Sequence, residues 1–283
     1  MSQPGPDLPK LARMESRQLR DLIPSEAQRD LTETSPAPRS HWLREVVIVI
    51  VFYYSYELIR RFVHLGKVRP RAFRNQLYVI DLERTLHIYT ESAVQKAFLG
   101  ARWFIKVMNV YYGTLHFIIT GGLLLWVYLR RHEHYRQYRN LLGMTTALAL
   151  IGYFAFPLAP PRLYPCHDCF VDTLDTIGGF WSYHSSAAKA IANPFAAMPS
   201  LHFGWALWCG TLLWSFARHR AVRALSVIYP MLTLLAIVVT ANHYWLDAAG
   251  GAVIFITASQ VLRVLRNRAL RKSQVIAEQF GSV

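Results

Sequence analysis

Charge is what this 283-residue chain has least of: Asp, Glu, Lys and Arg together make up 17%, against about 25% in an average soluble domain. Acid is the scarcer sign, with 17 Asp plus Glu beside 31 Lys plus Arg. Three cysteines are too few for a disulfide-stapled miniprotein. So little charge next to 53% apolar residues excludes an intrinsically disordered chain, and no collagen-like period is present. An ordinary soluble enzyme is excluded as well. The apolar residues come in uncharged runs of about 20, the length a helix needs to cross a bilayer core.

What is present is an integral membrane pattern, with a mean hydropathy of +0.19. Apolar runs cover 42–59, 107–129, 141–160, 198–217, 224–242 and 244–262. Each spans a hydrocarbon core of about 30 Å as an α-helix, and lipid offers no partner to the backbone of an open strand. The expected fold is therefore all-α: a polytopic bundle of six transmembrane helices. The net charge of +14 flanks these runs instead of forming one stripe, so it reads as loop charge and not as a nucleic-acid surface.

Residues 1–41 hold six basic and six acidic residues and six prolines. They read as a disordered cytoplasmic tail without the apolar core of a secretory signal. Residues 42–265 form the expected catalytic membrane domain, and 266–283 a basic cytoplasmic tail. Loop 130–140 carries Arg130, Arg131, Arg136 and Arg139, and loop 218–223 carries Arg218, Arg220 and Arg223. Segment 161–197 carries only Arg162 and Lys189 beside Asp168, Asp172 and Asp175. The positive-inside rule then puts both termini in the cytoplasm of a cell-membrane protein and makes 161–197 a long outer loop. Segment 60–102 is basic yet falls outside on this count. Its stretch 77–99 mixes apolar and charged residues and suits an interfacial helix on the outer leaflet.

Polar residues at the ends of membrane helices are functional candidates. His202, the pair His243 and Asp247, and Arg162 all fall at the extracytoplasmic ends of three runs. His243 and Asp247 are four apart and share a helix face, where a carboxylate can fix the tautomer of an imidazole. The same pair also reads as a structural unit at a helix start. In the segment 193–202, Pro199 fits a first helical turn, Ser200 offers a hydroxyl or a cap, and His202 offers an acid. Arg162 suits a phosphate, or snorkels to lipid headgroups.

Pro199-Ser200-Leu201-His202, followed about 40 residues later by His243-Tyr-Trp-Leu-Asp247, resembles the type 2 phosphatidic acid phosphatase superfamily. The stretch Ala196-Ala-Met-Pro-Ser-Leu-His-Phe-Gly204 is similar to the inositolphosphotransferase branch, which includes inositol phosphorylceramide synthases. The resemblance covers roughly residues 100–265. It implies that His243 is a nucleophile forming a phosphohistidine, that Asp247 orients it, and that His202 protonates the leaving oxygen. It further implies that Ser200 and Arg162 bind phosphate, without metal or cofactor. The substrate is then a lipid phosphate or phospholipid in the bilayer. Five positions depart from the family pattern. Leu163 follows Arg162 where a Pro is expected, and Leu201 stands where Gly is commoner. Ala155 stands where a Lys is expected, and Ala236 and Ile237 stand where a Ser-Arg pair is expected. Lys189 and His184 are candidate replacements, and a phosphodiester, with less charge, is the favoured substrate. The rival readings are a non-catalytic lipid-binding protein of the same fold and a proton-coupled transporter.

Cys166 and Cys169 read as a disulfide, as free thiols or as half of a metal site. Trp42, Trp103, Trp126, Trp181, Trp208 and Trp245 read as interfacial anchors. His116 and Asn109 read as interhelical hydrogen-bonders, and Gly121-Gly122 and Gly250-Gly251 as close-packing points.

Overall fold

The computed structural model describes residues 68–166, 169–179 and 195–280, with side chains to 272, and seven positions between 43 and 54. The chain divides into the units Met1–Ser55 and Tyr56–Val283. In the first, Leu43, Glu45, Val47, Ile48, Ile50, Val51 and Tyr54 are helical. The whole of tail 1–41, most of run 42–59, residues 281–283, and Trp42, Trp181, His184 and Lys189 lie outside the described residues.

The second unit is all-helical among its described residues. Helix α1 is Val68–Thr85, α2 Glu91–Leu99 and α3 Arg102–Val110. A π-helical turn at Tyr111–Leu115 joins α3 to α4, His116–Arg130. Next come α5, His132–Ala155; the short α6, Thr173–Thr176; and α7, Leu201–Phe216. Helices α8, Arg220–Val239, and α9, Trp245–Phe280, complete the chain. Among the described residues three helical stretches are long and apolar enough to cross a membrane: Arg102–Arg130, Arg220–Val239 and Trp245–Lys272.

Sequence chemistry sets the breaks. Pro157, Pro160 and Pro161 cannot extend α5, because each lacks an N–H and disfavours helix in the residue before it. Ser200 caps α7, its Oγ accepting the amide of Phe203 at 3.3 Å. Pro199 lies before this cap, not in the first helical turn. In α8, Pro230 frees the carbonyl of Ser226 from its helical partner, and Gly210 of α7 packs there: a Cβ at Gly210 would stand 2.5 Å from that oxygen.

The core is aromatic. Trp208 is fully buried among Tyr138, Leu212 and Tyr229, and its indole donates to the Tyr138 carbonyl at 2.9 Å. It is a core residue and not an interfacial anchor, whereas Trp103 is 72% exposed. Around the bundle the surface is apolar: Ile118, Leu129, Ile151, Phe154 and Val253 are all exposed. Such a surface is suited to lipid rather than water.

Stretch 77–99 is not one interfacial helix. It is divided between α1 and α2, and each face is mixed: Val79 and Ile80 are buried beside polar residues, and Asp81, Arg84 and Lys96 are exposed beside apolar ones. Asn75, Gln76, Glu83, Glu91 and Gln95 are buried, while Leu77, Tyr78 and Leu82 are exposed. The buried amides hold the chain beside Arg162: Asn75 donates to the Pro157 carbonyl, and Gln76 to those of Ala159 and Pro160. Gln95 bridges the carbonyls of Val171 and Val239.

Candidate active site

The site forms where the segments before α7 and α9 meet. The amide of Ser200 donates to the Asp247 carbonyl at 2.8 Å. Gly251 permits this approach, since a Cβ there would lie 2.3 Å from the Ser200 carbonyl oxygen. Gly250 likewise faces Pro199. Gly121 and Gly122, in contrast, have nothing within 4 Å of a built Cβ, so they are not close-packing points among the described residues.

His243 sits in the turn between α8 and α9, 3% exposed. Its Nδ1 lies 2.9 Å from the Ala197 carbonyl and 3.3 Å from Asp247 Oδ2. A carbonyl only accepts, so Nδ1 carries the proton and Nε2 keeps the lone pair. That Nε2 is buried without a hydrogen-bond partner among the described residues. Burial pushes the imidazole down to about 3; the Ala197 carbonyl opposes this shift, and the positive charge of Arg162 adds to it. The ring is neutral at ordinary pH, the state a nitrogen nucleophile requires. Asp247 is fully buried, and its Oδ2 also accepts the amide of Tyr244 at 2.9 Å. A parallel bridge between Leu158 and Ala196 holds the Ala197 segment in place.

The ring of His202 is 5.9 Å from that of His243, and its Nε2 is also buried and unpartnered among the described residues. It stacks on Tyr112 at 4.1 Å. Tyr112 belongs to the π-helical turn, a distortion that is frequent at functional sites. On the other side of His202, 5.2 Å away, lies His116, fully buried, with Nδ1 2.9 Å from the Tyr229 hydroxyl. Tyr112 and the nearness of His116 escaped the sequence. The turn adds a residue to the helical repeat, so spacing along the run does not report which face these side chains occupy.

Arg162 does not snorkel. Its side chain is 9% exposed and its Nε lies 3.5 Å from Asp172 Oδ2. Its amide donates to the Ala241 carbonyl at 2.9 Å, in the turn that leads to His243. Ser200 is fully buried, and accepting the Phe203 amide leaves its hydroxyl proton to donate. Arg162, Ser200, His202, His243 and Asp247 are thus gathered at one end of the bundle. Of the departures from the family pattern, Ala236 and Ile237 are fully buried in α8. At Ala155 the carbonyl accepts Arg71 Nη2 at 2.6 Å. Cys166 and Cys169 form a disulfide. No cluster able to hold a metal occurs among the described residues.

A sequence model described as the PAP2 superfamily matches residues 77–261. No curated protein and no solved structure matches the chain.

Proposed function

The chain belongs to the PAP2 superfamily, and from that premise we propose that it transfers or hydrolyses a phosphate-containing lipid headgroup through a phosphohistidine. The observation that carries this reading is the pair of imidazoles 5.9 Å apart with both Nε2 atoms buried and unpartnered among the described residues. The His243 Nε2 lone pair attacks phosphorus. The bond to the leaving oxygen breaks, and His202, protonated as the anionic phosphate binds beside it, gives that oxygen its proton. Now neutral, His202 takes the proton of a water or hydroxyl acceptor that attacks the phosphohistidine and frees His243. Ser200 and Arg162 neutralise the phosphoryl oxygens, which is most of what phosphoryl transfer asks of a protein. Asp247 and the Ala197 carbonyl hold the nucleophile's tautomer. No metal or cofactor has a role in this scheme.

A phosphodiester donor fits best, in the manner of the inositolphosphotransferase branch, because two family cations are replaced by Ala155 and by the buried pair Ala236 and Ile237. We place the site at the extracytoplasmic face of a six-span bundle in the cell membrane, with both termini in the cytoplasm and α1 and α2 at the interface. The Cys166–Cys169 disulfide supports that side, since disulfides persist in oxidising compartments.

The test is turnover by purified protein in detergent, with a lipid phosphomonoester or a phosphodiester donor and with or without a hydroxyl acceptor. Wild type should prefer the diester and be inhibited by vanadate. His243→Ala and His202→Ala should each lower kcat by at least about 10³-fold. Unchanged turnover in either variant overturns the role assigned to that histidine.

A further inference from the structure

The first turn of α9 carries Asp247, and the residue before that turn's start is preceded by His243, so whatever fixes this helix end also fixes the nucleophile. Its amides are held by acids from far away in the chain. Leu246 donates to Glu83 Oε1 at 2.8 Å, from α1, 163 residues earlier. Trp245 donates to Glu91 Oε1 at 3.0 Å, from the start of α2, 154 residues earlier. The Trp245 indole donates to Thr90 Oγ1 at 3.0 Å, and the Tyr244 amide goes to Asp247 itself. Three successive amides at a helix N-terminus are therefore satisfied by three carboxyl groups.

Both glutamates are fully buried. Their second oxygens, Glu83 Oε2 and Glu91 Oε2, have no other partner among the described residues. Burial holds Glu83 well above the usual carboxylate range, and its contact with the Glu91 carboxyl adds to the rise. The Glu83 carboxyl thus holds its proton at pH values where an exposed glutamate is ionised. This arrangement is costly to bury unless every group is paired. It spends two acids of a chain that has 17 in all on a helix end that a single Ser or Asp would cap.

We infer that Glu83 and Glu91 are positioning residues that clamp the start of α9 and so set His243 and Asp247 for attack. They touch neither substrate nor reacting atom. Their oxygens also occupy the amides that would otherwise bind an anion at this helix end, which leaves the phosphate to Ser200 and Arg162. The clamp explains why two acids of α1 and α2 are buried at the start of α9, and it makes the segment ahead of the catalytic bundle part of the active enzyme. This inference rests on the reading of His243 as the nucleophile.

The substitutions that decide it are Glu83→Gln and Glu83→Asp. Gln keeps an acceptor at full reach for Leu246 and cannot ionise. Asp keeps the acid but shortens the arm by one methylene. Steady-state kinetics with the phosphodiester donor should show E83Q close to wild type. E83D should lose about 10- to 100-fold in kcat with KM nearly unchanged, as displacement of a catalytic group does. Hydrogen exchange of the amides of residues 244–246, in the intact protein in detergent, should quicken in E83D and in Glu91→Ala but not in E83Q. The reverse ranking, with E83D active and E83Q inactive, overturns the inference, because acidity and not reach would then matter. Unchanged kcat and exchange in E83D and E91A overturn it equally. If wild type turns over no lipid phosphate, the proposed chemistry fails, and the exchange measurement still decides whether the clamp exists.

Discussion

At the scale of single residues, the site is a set of buried polar groups whose protonation is fixed by geometry. His243 shows this most directly: one carbonyl, that of Ala197 at 2.9 Å, decides which ring nitrogen keeps its lone pair. Glu83 gives the residue-scale prediction. In the folded protein its carboxyl stays protonated at pH values where an unfolded glutamate, with an ordinary value of 4.5, is ionised. The native state then binds one more proton than the unfolded state. Stability is full below about pH 4.5 and falls as pH rises, by at most about 1.4 kcal/mol per unit, until Glu83 itself ionises. Glu91 and Asp247 both act on Glu83 in the same direction. Gln cannot ionise, so E83Q should flatten this part of the decline. Melting temperatures in detergent at pH 6 and pH 8 should differ by several degrees less in E83Q than in wild type, on a scale of about 2–4 °C per kcal/mol. Equal slopes would show that no proton is held there. His202, His243 and Asp247 stood out in the sequence because such residue types are rare in apolar runs, although His243 lies in the turn ahead of α9 and not on a helix face shared with Asp247. Glu83 and Glu91 were not legible. They lie 154 and 163 residues from their partners, in a stretch whose charge disguises which face is inside.

At the scale of elements, glycine decides how closely the segments that begin α7 and α9 approach. Gly251 and Gly121 make opposite predictions although both lie in long apolar helices. A methyl group on Gly251 would meet the Ser200 carbonyl oxygen at 2.3 Å, and backbone on both sides leaves little room to give. Gly251→Ala should push α7 away from α9, loosen the Ser200–Asp247 hydrogen bond and lower kcat by about 10²-fold, the cost of misplacing reacting groups by about 1 Å. Gly121→Ala meets nothing within 4 Å and replaces the poorer helix former, so turnover and melting temperature should match or slightly exceed wild type. Activity retained in G251A would show that the junction between α7 and α9 is not what sets the site. The sequence marked both glycine pairs alike, because small residues in an apolar run show where a close approach is possible but not where it occurs. The π-helical turn was hidden for a related reason: the extra residue leaves the composition of the run unchanged and alters only the facing of Tyr112 and His116.

At the scale of the whole membrane unit, its two ends carry different chemistry. The helices α4, α5 and α7 converge at one end on Phe216, whose ring meets Trp126 at 5.5 Å, His134 at 5.4 Å and the guanidinium of Arg131 at 5.6 Å. Arg223 lies over Trp214 beside it. This end gathers basic residues and aromatic rings, as a cytoplasmic interface does. The opposite ends of the same helices carry Tyr112, Arg162 and His202. Helix α7 has 16 residues, about 24 Å at 1.5 Å per residue. That falls short of a hydrocarbon core of about 30 Å, and Ser200 lies at its start. A phosphate bound there would be reached from one face only. Cysteine labelling tests which face. Thr176→Cys near Arg162 and His219→Cys at the α7–α8 turn both add an exposed thiol, while native Cys209 is buried and Cys166 and Cys169 are paired. In intact cells a membrane-impermeant maleimide should label T176C before lysis and H219C only after it. The opposite pattern would move the site to the cytoplasmic face, and labelling of both before lysis would mean that the basic and catalytic ends do not face opposite sides of a bilayer.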